Sequence, residues 1–330
     1  MNALVIGGNL FIGRLLVAGL AKAGHAVTIL HRKPGHDLGK RIQEIVADRN
    51  DPAAVRRALA GRSFDVVFDN VYDWTRGTTA SQVEATARAC SDHLRRYVFM
   101  SSVAAYGDGL NHHEGDALAP DDHADPYARN KAMSERALFR FHQRSGFPVV
   151  TLRPPFIYGP GNPFYREAFF WDRLQDARPI IVPGDGRRLM QFVHIKDLVW
   201  ACLRVIEEPA SVGQAYNIAN LRPVTQTEAV EAFAIAAGKK VHIVRVPRER
   251  LLRAGGHPMG PRLYFGMYLD LPPITQVVSK AQRVLGFNPT DFAQGLKETY
   301  RWYVRQGNHA APDYSFEDKL LAMAAAAGAS

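Results

Sequence analysis

A short glycine-containing segment between a strand and a helix constrains the fold of this chain more than any other feature. Residues 3–6 are apolar and typical of a buried strand, residues 7–13 read Gly-Gly-Asn-Leu-Phe-Ile-Gly, and residues 15–23 resemble a helix that ends at Gly24. A second apolar strand follows at 26–30. A strand, a tight turn, a helix and another strand in this order predict a βαβ unit.

The alternation of strands and helices continues through the first half of the chain. Further strands are predicted at 42–46, 64–68, 97–100 and 149–152, and further helices at 52–59, 77–93 and from Tyr127 onward. This pattern predicts an α/β fold with a Rossmann-type doubly wound parallel sheet. Beyond Pro154 the regularity ends, which indicates a smaller C-terminal substrate lobe over the carboxyl edge of the sheet.

The predicted domain boundaries follow from this change of pattern. We expect the sheet domain to comprise residues 1–153 with returning segments near 192–220. The lobe should comprise 154–191 and 221–320, and the alanine-rich tail 321–330 should be frayed.

Composition excludes several classes of protein. The chain has 41 Lys and Arg against 32 Asp and Glu, a net charge of +9, and 47% apolar residues, which suffices for a large core. The basic residues form no run longer than three, so charge alone does not indicate a nucleic-acid site. No stretch approaches the ~20 apolar residues of a membrane span. We expect no signal peptide, no membrane partner and a cytoplasmic location.

Metal binding and disulfide formation are not expected either. Cys90 and Cys202 are too few for a disulfide framework or a zinc site. The segment 107–126 is rich in His, Asp and Glu, a composition that could also suggest a metal site. We expect it to be a solvated, mobile polar loop that covers the site as a lid.

The glycine segment is the first predicted cofactor-binding element. Backbone N–H groups at a helix start after a buried strand can hold a diphosphate. Leu10 stands where the three-glycine fingerprint has glycine, and a tight turn without a ligand is the alternative. Dinucleotide binding is favoured because the later elements agree with it. The predicted contacts are Gly7, Asn9, Leu10, Phe11, Ile12 and Gly13.

The end of the second strand indicates the type of dinucleotide. An acidic residue there would bind the adenosine ribose of NAD, but the chain has His31, Arg32 and Lys33 instead. Because these side chains would attract a 2′-phosphate, we predict NADP(H) in preference to NAD(H). A basic loop that faces solvent is the alternative. Asp48, after the third strand, is placed to meet the adenine amino group.

Three side chains are candidates for catalysis. Tyr127 and Lys131 are four residues apart, so on a helix they lie on one face. A nearby ammonium would lower the pKa of the phenol from its usual ~10 and make it a general acid or base. Ser102 follows a central strand and should face the ligand crevice. The alternatives are chance spacing for the pair and a turn serine at a strand end.

With these motifs the chain resembles the extended short-chain dehydrogenase/reductase family. Further landmarks of the resemblance lie at 153–161, 192–197, 216–218 and 279–287. The resemblance implies that Tyr127 is the acid/base, that Lys131 also holds the nicotinamide ribose, and that Ser102 orients the substrate. It also implies that the segment containing Pro154 and Phe156 borders the nicotinamide.

Departures from the family pattern narrow the expected reaction. Val103 follows Ser102 where the sugar-nucleotide 4,6-dehydratases have an Asp-Glu pair, so we do not expect dehydration. Phe156 and Met190 stand where members that bind nucleotide sugars often have Asn and Arg. Other arginines, at 153, 187 or 188, would have to replace those contacts. The predicted substrate contacts are Ser102, Val103, Phe156, Arg187 and Arg188.

A narrower resemblance is to the atypical branch that contains chloroplast stem-loop RNA-binding proteins. It rests on the Gly-Gly-x-x-Phe-Ile-Gly turn, on residues 68–70, which add Asn70 to the predicted cofactor contacts, and on 170–173 and 189–194. RNA binding is therefore the alternative function, with Phe169, Phe170 and Trp171 as stacking residues. Against it, a complete Ser-Tyr-Lys set has no purpose in RNA binding.

We therefore predict an NAD(P)-dependent oxidoreductase or epimerase. It would move a hydride and a proton at a hydroxyl or keto carbon of a sugar or sugar derivative, with or without a linked nucleotide. The choice between reduction and epimerisation stays open. We also expect a homodimer.

Overall fold

The computed structural model describes residues 1–256, 269, 271–307 and 311–328. The strands are β1 Asn2–Ile6, β2 Ala26–His31, β3 Gln43–Val46, β4 Val66–Asp69, β5 Arg96–Met100, β6 Gly109–His112, β7 Val149–Arg153, β8 Phe156–Tyr158, β9 Ile180–Pro183, β10 Leu189–Met190, β11 Phe192–His194, β12 Gln214–Asn217, β13 Val224–Thr225, β14 Ile243–Val246 and β15 Ile274–Gln276. The α-helices are α1 Phe11–Lys22, α2 Pro52–Leu59, α3 Ala80–Ala89, α4 Pro126–Ser145, α5 Glu167–Gln175, α6 Ile195–Glu207, α7 Gln226–Ala237, α8 Arg248–Arg253, α9 Ser279–Leu285, α10 Phe292–Gln306 and α11 Ser315–Gly328.

A seven-stranded parallel sheet forms the centre of the molecule and confirms the predicted fold class. Its strand order is β12-β7-β5-β4-β1-β2-β3. Strand β1 pairs with β2 on one side and with β4 on the other, so the strand order reverses at β1. The interior strands are continuous apolar runs because helices cover both faces of the sheet. Ligands bind such sheets outside the carboxyl ends of the strands at this reversal.

Two hydrophobic cores lie on opposite faces of the sheet. One core contains apolar residues of α1, α6 and α9, and the other contains those of α2, α3 and α4. A third core, built mainly from α5, α7, α10 and the β9–β14 pair, forms the smaller lobe. The segment 278–287, which we placed in the lobe, contributes Val278, Ala281, Leu285 and Phe287 to the sheet core. That boundary prediction was wrong because these residues pack beside α6.

Three local predictions also need correction. Helix α3 is shorter than 77–93 because a capping box between Thr79 and Gln82 starts it at Ala80. The segment 107–126 contains a strand, β6, which pairs with β15 and so ties this loop to the lobe. Helix α11 runs to Gly328, so most of the tail expected to be frayed is helical, in keeping with the high helix propensity of alanine. No helix within the described ranges is long and apolar enough to span a membrane.

Candidate active site

A cleft of about 900 Å³ lies between the carboxyl ends of the strands and the lobe. Residues from the ends of β1, β2, β3 and β4 line one half, and Trp74, Val103, Arg166 and residues from β8, β10 and the segment 271–274 line the other. We call these the cofactor half and the substrate half. Ser102, Tyr127 and Lys131 also line the cleft. The predicted site residues that line the cleft are Gly7, Asn9, Leu10, Phe11, Ile12, Gly13, His31, Arg32, Asp48, Asn70, Ser102, Val103, Tyr127, Lys131, Pro154 and Phe156.

The glycine turn closes more tightly than any side chain would allow. A Cβ at Gly13 would lie 1.9 Å from the backbone oxygen of Gly7, and Gly7 itself has a φ of +83°. Helix α1 starts behind this turn, and no side chain caps it at Leu10. Leu10 is 68% exposed, so its side chain does not fill the turn despite replacing the expected glycine. The helix start is therefore open to a ligand.

Two asparagine side chains beside the turn have buried polar atoms that need a partner. Asn70 Oδ1 and Nδ2 and Asn9 Oδ1 have no hydrogen-bond partner among the described residues. Both residues line the cleft. Buried amide groups are normally hydrogen-bonded, so these atoms fit a polar ligand in the cofactor half. Together with the glycine turn and the open helix start, they fit a dinucleotide.

The basic residues after β2 are partly engaged with acids. His31 contacts Asn9 through Nδ1 and Glu44 through Nε2, both at 2.6 Å. Arg32 Nη1 donates to Asp73 Oδ2 at 3.0 Å, yet its side chain is 60% exposed and lines the cleft. Lys33 is exposed and lies outside the lining. Sequence analysis missed Glu44 because this acid comes from the neighbouring strand.

Asp48 also lines the cleft. Its carboxylate pairs with Arg76 at 2.8 Å and accepts from the backbone N–H of Asn50. Arg76 also pairs with Asp73. A hydrogen bond from the backbone N–H of Arg76 is the largest of several effects that lower the pKa of Asp73 to about 2. This end of the cleft therefore carries a series of paired charges in which Asp73 contacts Arg32 and Arg76, and Arg76 contacts Asp48.

Ser102, Tyr127 and Lys131 all line the cleft. Asp125 caps α4 by accepting from the Tyr127 backbone N–H, which fixes the start of that helix. Lys131, one turn later, donates from Nζ to the Met100 backbone oxygen at 2.6 Å. Ser102 follows β5 and accepts from the Ala104 N–H. The helix and the strand end therefore place the three side chains together.

We predicted that Lys131 lowers the pKa of Tyr127, and for the protein without a bound ligand this prediction was wrong. Burial raises the pKa of the Tyr127 phenol to about 12, although the Ser102 hydroxyl and the charge of Arg166 oppose this shift. Lys131 Nζ lies 5.8 Å from the centre of the Tyr127 ring and is directed at Met100. Burial lowers the pKa of Lys131 to about 8. At neutral pH the phenol is thus protonated and Lys131 is mostly charged.

Aromatic side chains from the loop after β4 surround the Tyr127 ring. The indole of Trp74 stacks on it with ring centres 4.7 Å apart, and Tyr72 meets it edge-on at the same distance. Trp74 is 54% exposed and lines the cleft. Sequence analysis missed both residues, since a Tyr-x-Trp pair in a loop has no recognisable periodicity.

The substrate half differs from the prediction in its charged residues. Val103 and Phe156 line it as expected, but Arg187 and Arg188 do not. Arg187 is exposed in a turn, and Arg188 Nη1 donates to the Leu271 backbone oxygen behind the cleft wall. Among the residues that the structure describes, Arg166, at the start of α5, lines this half. Its proximity to Tyr127 arises only in the folded chain.

The residues proposed for stacking on RNA are not accessible. Phe169, Phe170 and Trp171 are at most 1% exposed and form part of the lobe core. Phe170 stacks on Phe233, with ring centres 4.3 Å apart. This part of the RNA hypothesis was wrong because α5 turns its aromatic side chains into the lobe.

Comparison with known proteins places the chain in a well-populated group. Residues 3–219 match the profile of the NAD dependent epimerase/dehydratase family. The chain is 31% identical to the chloroplast stem-loop binding protein of 41 kDa b of Arabidopsis thaliana, over 96% of this chain and 83% of that protein. Both findings confirm the resemblances drawn from the motifs.

Solved structures with the same fold include sugar-nucleotide epimerases. The UDP-glucose 4-epimerase of Thermotoga maritima, determined with UDP-glucose, has a TM-score of 0.74 at 20% identity, covering 93% of this chain and 100% of that one. A point mutant of the UDP-glucuronic acid 4-epimerase of Bacillus cereus, determined with a fluorinated UDP-glucuronic acid and NAD, has a TM-score of 0.74 at 19% identity, with the same coverage.

Proposed function

Since the chain belongs to the NAD dependent epimerase/dehydratase family, we propose that it is a nicotinamide-dependent reductase or epimerase of a sugar or sugar derivative. The observation that carries the proposal is the meeting of Ser102, Tyr127 and Lys131 in one cleft with the glycine turn. The sugar nucleotides bound by the two epimerases of like fold support this substrate class. The proposal includes both nucleotide-linked and free sugars as substrates.

The cofactor half has the groups that a nicotinamide dinucleotide requires. The start of α1 would bind the diphosphate of the dinucleotide, and Asn9 and Asn70 would form hydrogen bonds to the dinucleotide through their buried amide atoms. Pro154 and Phe156 would border the nicotinamide ring. Lys131 would bond the ribose next to the nicotinamide. When bound, the nicotinamide supplies the hydride acceptor or donor.

Tyr127 would move the proton. Its phenol is protonated at neutral pH, because burial raises its pKa to about 12, so it is poised to donate a proton to a carbonyl oxygen during reduction. The Ser102 hydroxyl would hold the same oxygen. In the reverse direction the phenolate would take the proton from the substrate hydroxyl. An epimerase would use both directions in one cycle.

We further propose NADP(H) as the preferred cofactor. Arg32 lies at the adenosine end, is more than half exposed, and keeps donors beyond the one that contacts Asp73. His31 contributes less than expected because both of its ring nitrogens already have contacts. Asp48 is proposed to meet the adenine amino group, as the sequence suggested. A homodimer and a cytoplasmic location stay predictions.

Substitution of Tyr127 tests the proposed function. Tyr127→Phe should leave folding and nucleotide binding nearly intact but lower turnover by roughly 10²-fold or more, the scale of general acid/base catalysis. Turnover would be measured on UDP-glucose, UDP-glucuronic acid and the corresponding free sugars. The nicotinamide absorbance would report reduction, and retention of the bound nucleotide would identify epimerisation. Tyr300→Phe, in the lobe, is a matched control, because its hydroxyl accepts from Gln175 away from the cleft.

Near-normal turnover of Tyr127→Phe would remove this residue from the mechanism. RNA binding, which the name of the Arabidopsis relative raises, is the alternative. Tight RNA binding that weakens steeply with salt and is unchanged in Tyr127→Phe, with no turnover by either protein, would favour that alternative.

A further inference from the structure

Trp74 is a large aromatic residue that the fold leaves uncovered inside the cleft. Its side chain lines the substrate half and is 54% exposed, whereas Trp171, in the lobe core, is 1% exposed. Trp200 is also exposed, but it lies on α6 outside the cleft. An indole has one of the largest apolar surfaces of any side chain, so its exposure beside the proposed catalytic residues favours a ligand that covers it.

One face of the Trp74 indole is open to such a ligand. The Tyr127 ring stacks on the other face, with an angle of 29° between the planes. The centres of the Tyr72, Trp74 and Tyr127 rings are 4.7 to 5.2 Å apart in each pair. Tyr72 therefore lies beside the stack, because a ring on the far face of the indole would be much farther from Tyr127. The far face is thus left for the ligand.

The turn that carries Trp74 is held by hydrogen bonds to the preceding residue, Asp73. One carboxylate oxygen of Asp73 accepts from the backbone N–H groups of Thr75 and Arg76, both at 3.0 Å. The other oxygen pairs with Arg32 and Arg76, at 3.0 and 2.7 Å. Because the turn is already ordered, little conformational entropy is lost when a ligand stacks on its tryptophan.

The position of the indole next to Tyr127 suits a sugar ring. A pyranose carries hydroxyl groups around its rim and C–H groups on its faces. The rim requires hydrogen bonds, which Tyr127 and Ser102 would supply at the reacting oxygen, whereas a C–H face packs on an aromatic ring by dispersion. Phe156 and Met190, which also line the substrate half, add apolar surface.

We propose that Trp74 determines substrate specificity by stacking on a C–H face of the sugar ring, with the reacting hydroxyl or keto oxygen at Tyr127. The place of the reacting oxygen rests on the proposed function, but stacking of the ring can be measured without turnover. The cleft would then select closed pyranose rings over open-chain polyols, which present no flat C–H face.

The contribution of the sugar ring to affinity tests this proposal. UDP-glucose carries a glucose ring that UDP lacks, so the ratio of their affinities for the NADP⁺-loaded protein contains the contribution of that ring. In calorimetric titrations, Trp74→Ala should lower this ratio roughly 5- to 10-fold, the scale of an aromatic stacking contact and the apolar area it covers. Wild type should also bind glucose more tightly than sorbitol, the open-chain alcohol, and Trp74→Ala should lose that preference.

Matched variants separate stacking from bulk and from a folding defect. Trp74→Phe keeps an aromatic ring and should retain most of the wild-type ratio. Trp74→Leu keeps apolar bulk without a flat ring and should resemble Trp74→Ala. Trp200→Ala removes an exposed indole outside the cleft and should keep the full ratio. Each variant should bind NADP⁺ like the wild type, which confirms that it is folded.

Four results would overturn the proposal. An equal loss of affinity for UDP and UDP-glucose in Trp74→Ala would place the uracil on the indole, and a loss confined to NADP⁺ would place the nicotinamide there. An unchanged ratio in both Trp74→Ala and Trp74→Leu, or no binding of any sugar ligand by wild type, would also contradict it.

The same titrations with Tyr127→Phe distinguish this proposal from the proposed function. That variant keeps a ring against the indole and should keep the wild-type ratio. Normal turnover by Tyr127→Phe would remove the proposed function, whereas the stacking of a sugar on Trp74 depends on the affinity ratio alone.

Discussion

The two halves of the cleft are built in different ways. The cofactor half consists of strand ends and the glycine turn, so its shape is set by backbone, as in the 1.9 Å distance from a Cβ at Gly13 to the Gly7 oxygen. The substrate half consists of side chains from segments far apart in sequence, such as Trp74, Arg166 and Ile274. Backbone geometry fixes a ligand class common to a fold, whereas converging side chains set the individual substrate.

The same contrast appears in the two cations near Tyr127. Lys131 belongs to the helix of Tyr127 and donates to the end of β5, so it is part of the fold. Arg166 lies at the start of α5, in the lobe, and its charge also acts on the phenol. Substitutions on the two sides should therefore affect cofactor binding and substrate selection separately.

The largest expected effect comes from closing the glycine turn. Gly13→Ala places a methyl group against the Gly7 backbone, which cannot yield as a flexible side chain would, and overpacking of this kind costs about 3 kcal/mol. We expect affinity for NADP⁺ and NAD⁺ to fall by roughly 10²-fold, measured by calorimetry.

Gly115→Ala is the matched control, because a Cβ there meets no atom within 4 Å and the backbone is not left-handed. It should bind both nucleotides like the wild type. Unchanged nucleotide affinity in Gly13→Ala would show that the diphosphate does not bind at this turn.

A smaller effect is expected from the proposed adenosine end of the cleft. Charge-assisted hydrogen bonds from Arg32 to a 2′-phosphate should favour NADP⁺ over NAD⁺ by about 1.5–3 kcal/mol, or roughly 10- to 100-fold in affinity. Arg32→Ala should remove most of this preference, and Lys33→Ala should matter less, since Lys33 lies outside the lining. Titration of both nucleotides measures it. Equal or tighter binding of NAD⁺ by the wild type would assign the cofactor to NAD.

The smallest expected effect is a change in the pH dependence of turnover. Burial lowers the pKa of Lys131 to about 8, so its charge is present below pH 8 and is lost above it. If that charge holds the nicotinamide ribose, the rate of reduction should fall up to about tenfold per pH unit above 8.

Lys131→Arg should remove this alkaline fall, whatever its overall rate, because a guanidinium stays charged up to a pH of about 12. Lys280→Arg is the control: burial also lowers the pKa of Lys280, which lies away from the cleft. A fall that persists in Lys131→Arg would assign it to another group.

Sequence analysis identified the cofactor half more fully than the substrate half for a physical reason. The glycine turn and the Tyr127–Lys131 pair are local patterns whose geometry follows from a single turn or helix. Arg166 and Glu44 reach the site through tertiary packing, which local spacing does not encode. The basic cluster after β2 was visible, but its engagement by Glu44 and Asp73 was not.

The pairing of β6 with β15 also sets an order of events during synthesis of the chain. Asn111 donates from its backbone N–H to Thr275 Oγ1, and these residues are 164 positions apart. The residues of the glycine turn and the Ser-Tyr-Lys set all lie within the first 131 positions. A nascent chain therefore contains these residues long before β15 is available to pair with β6.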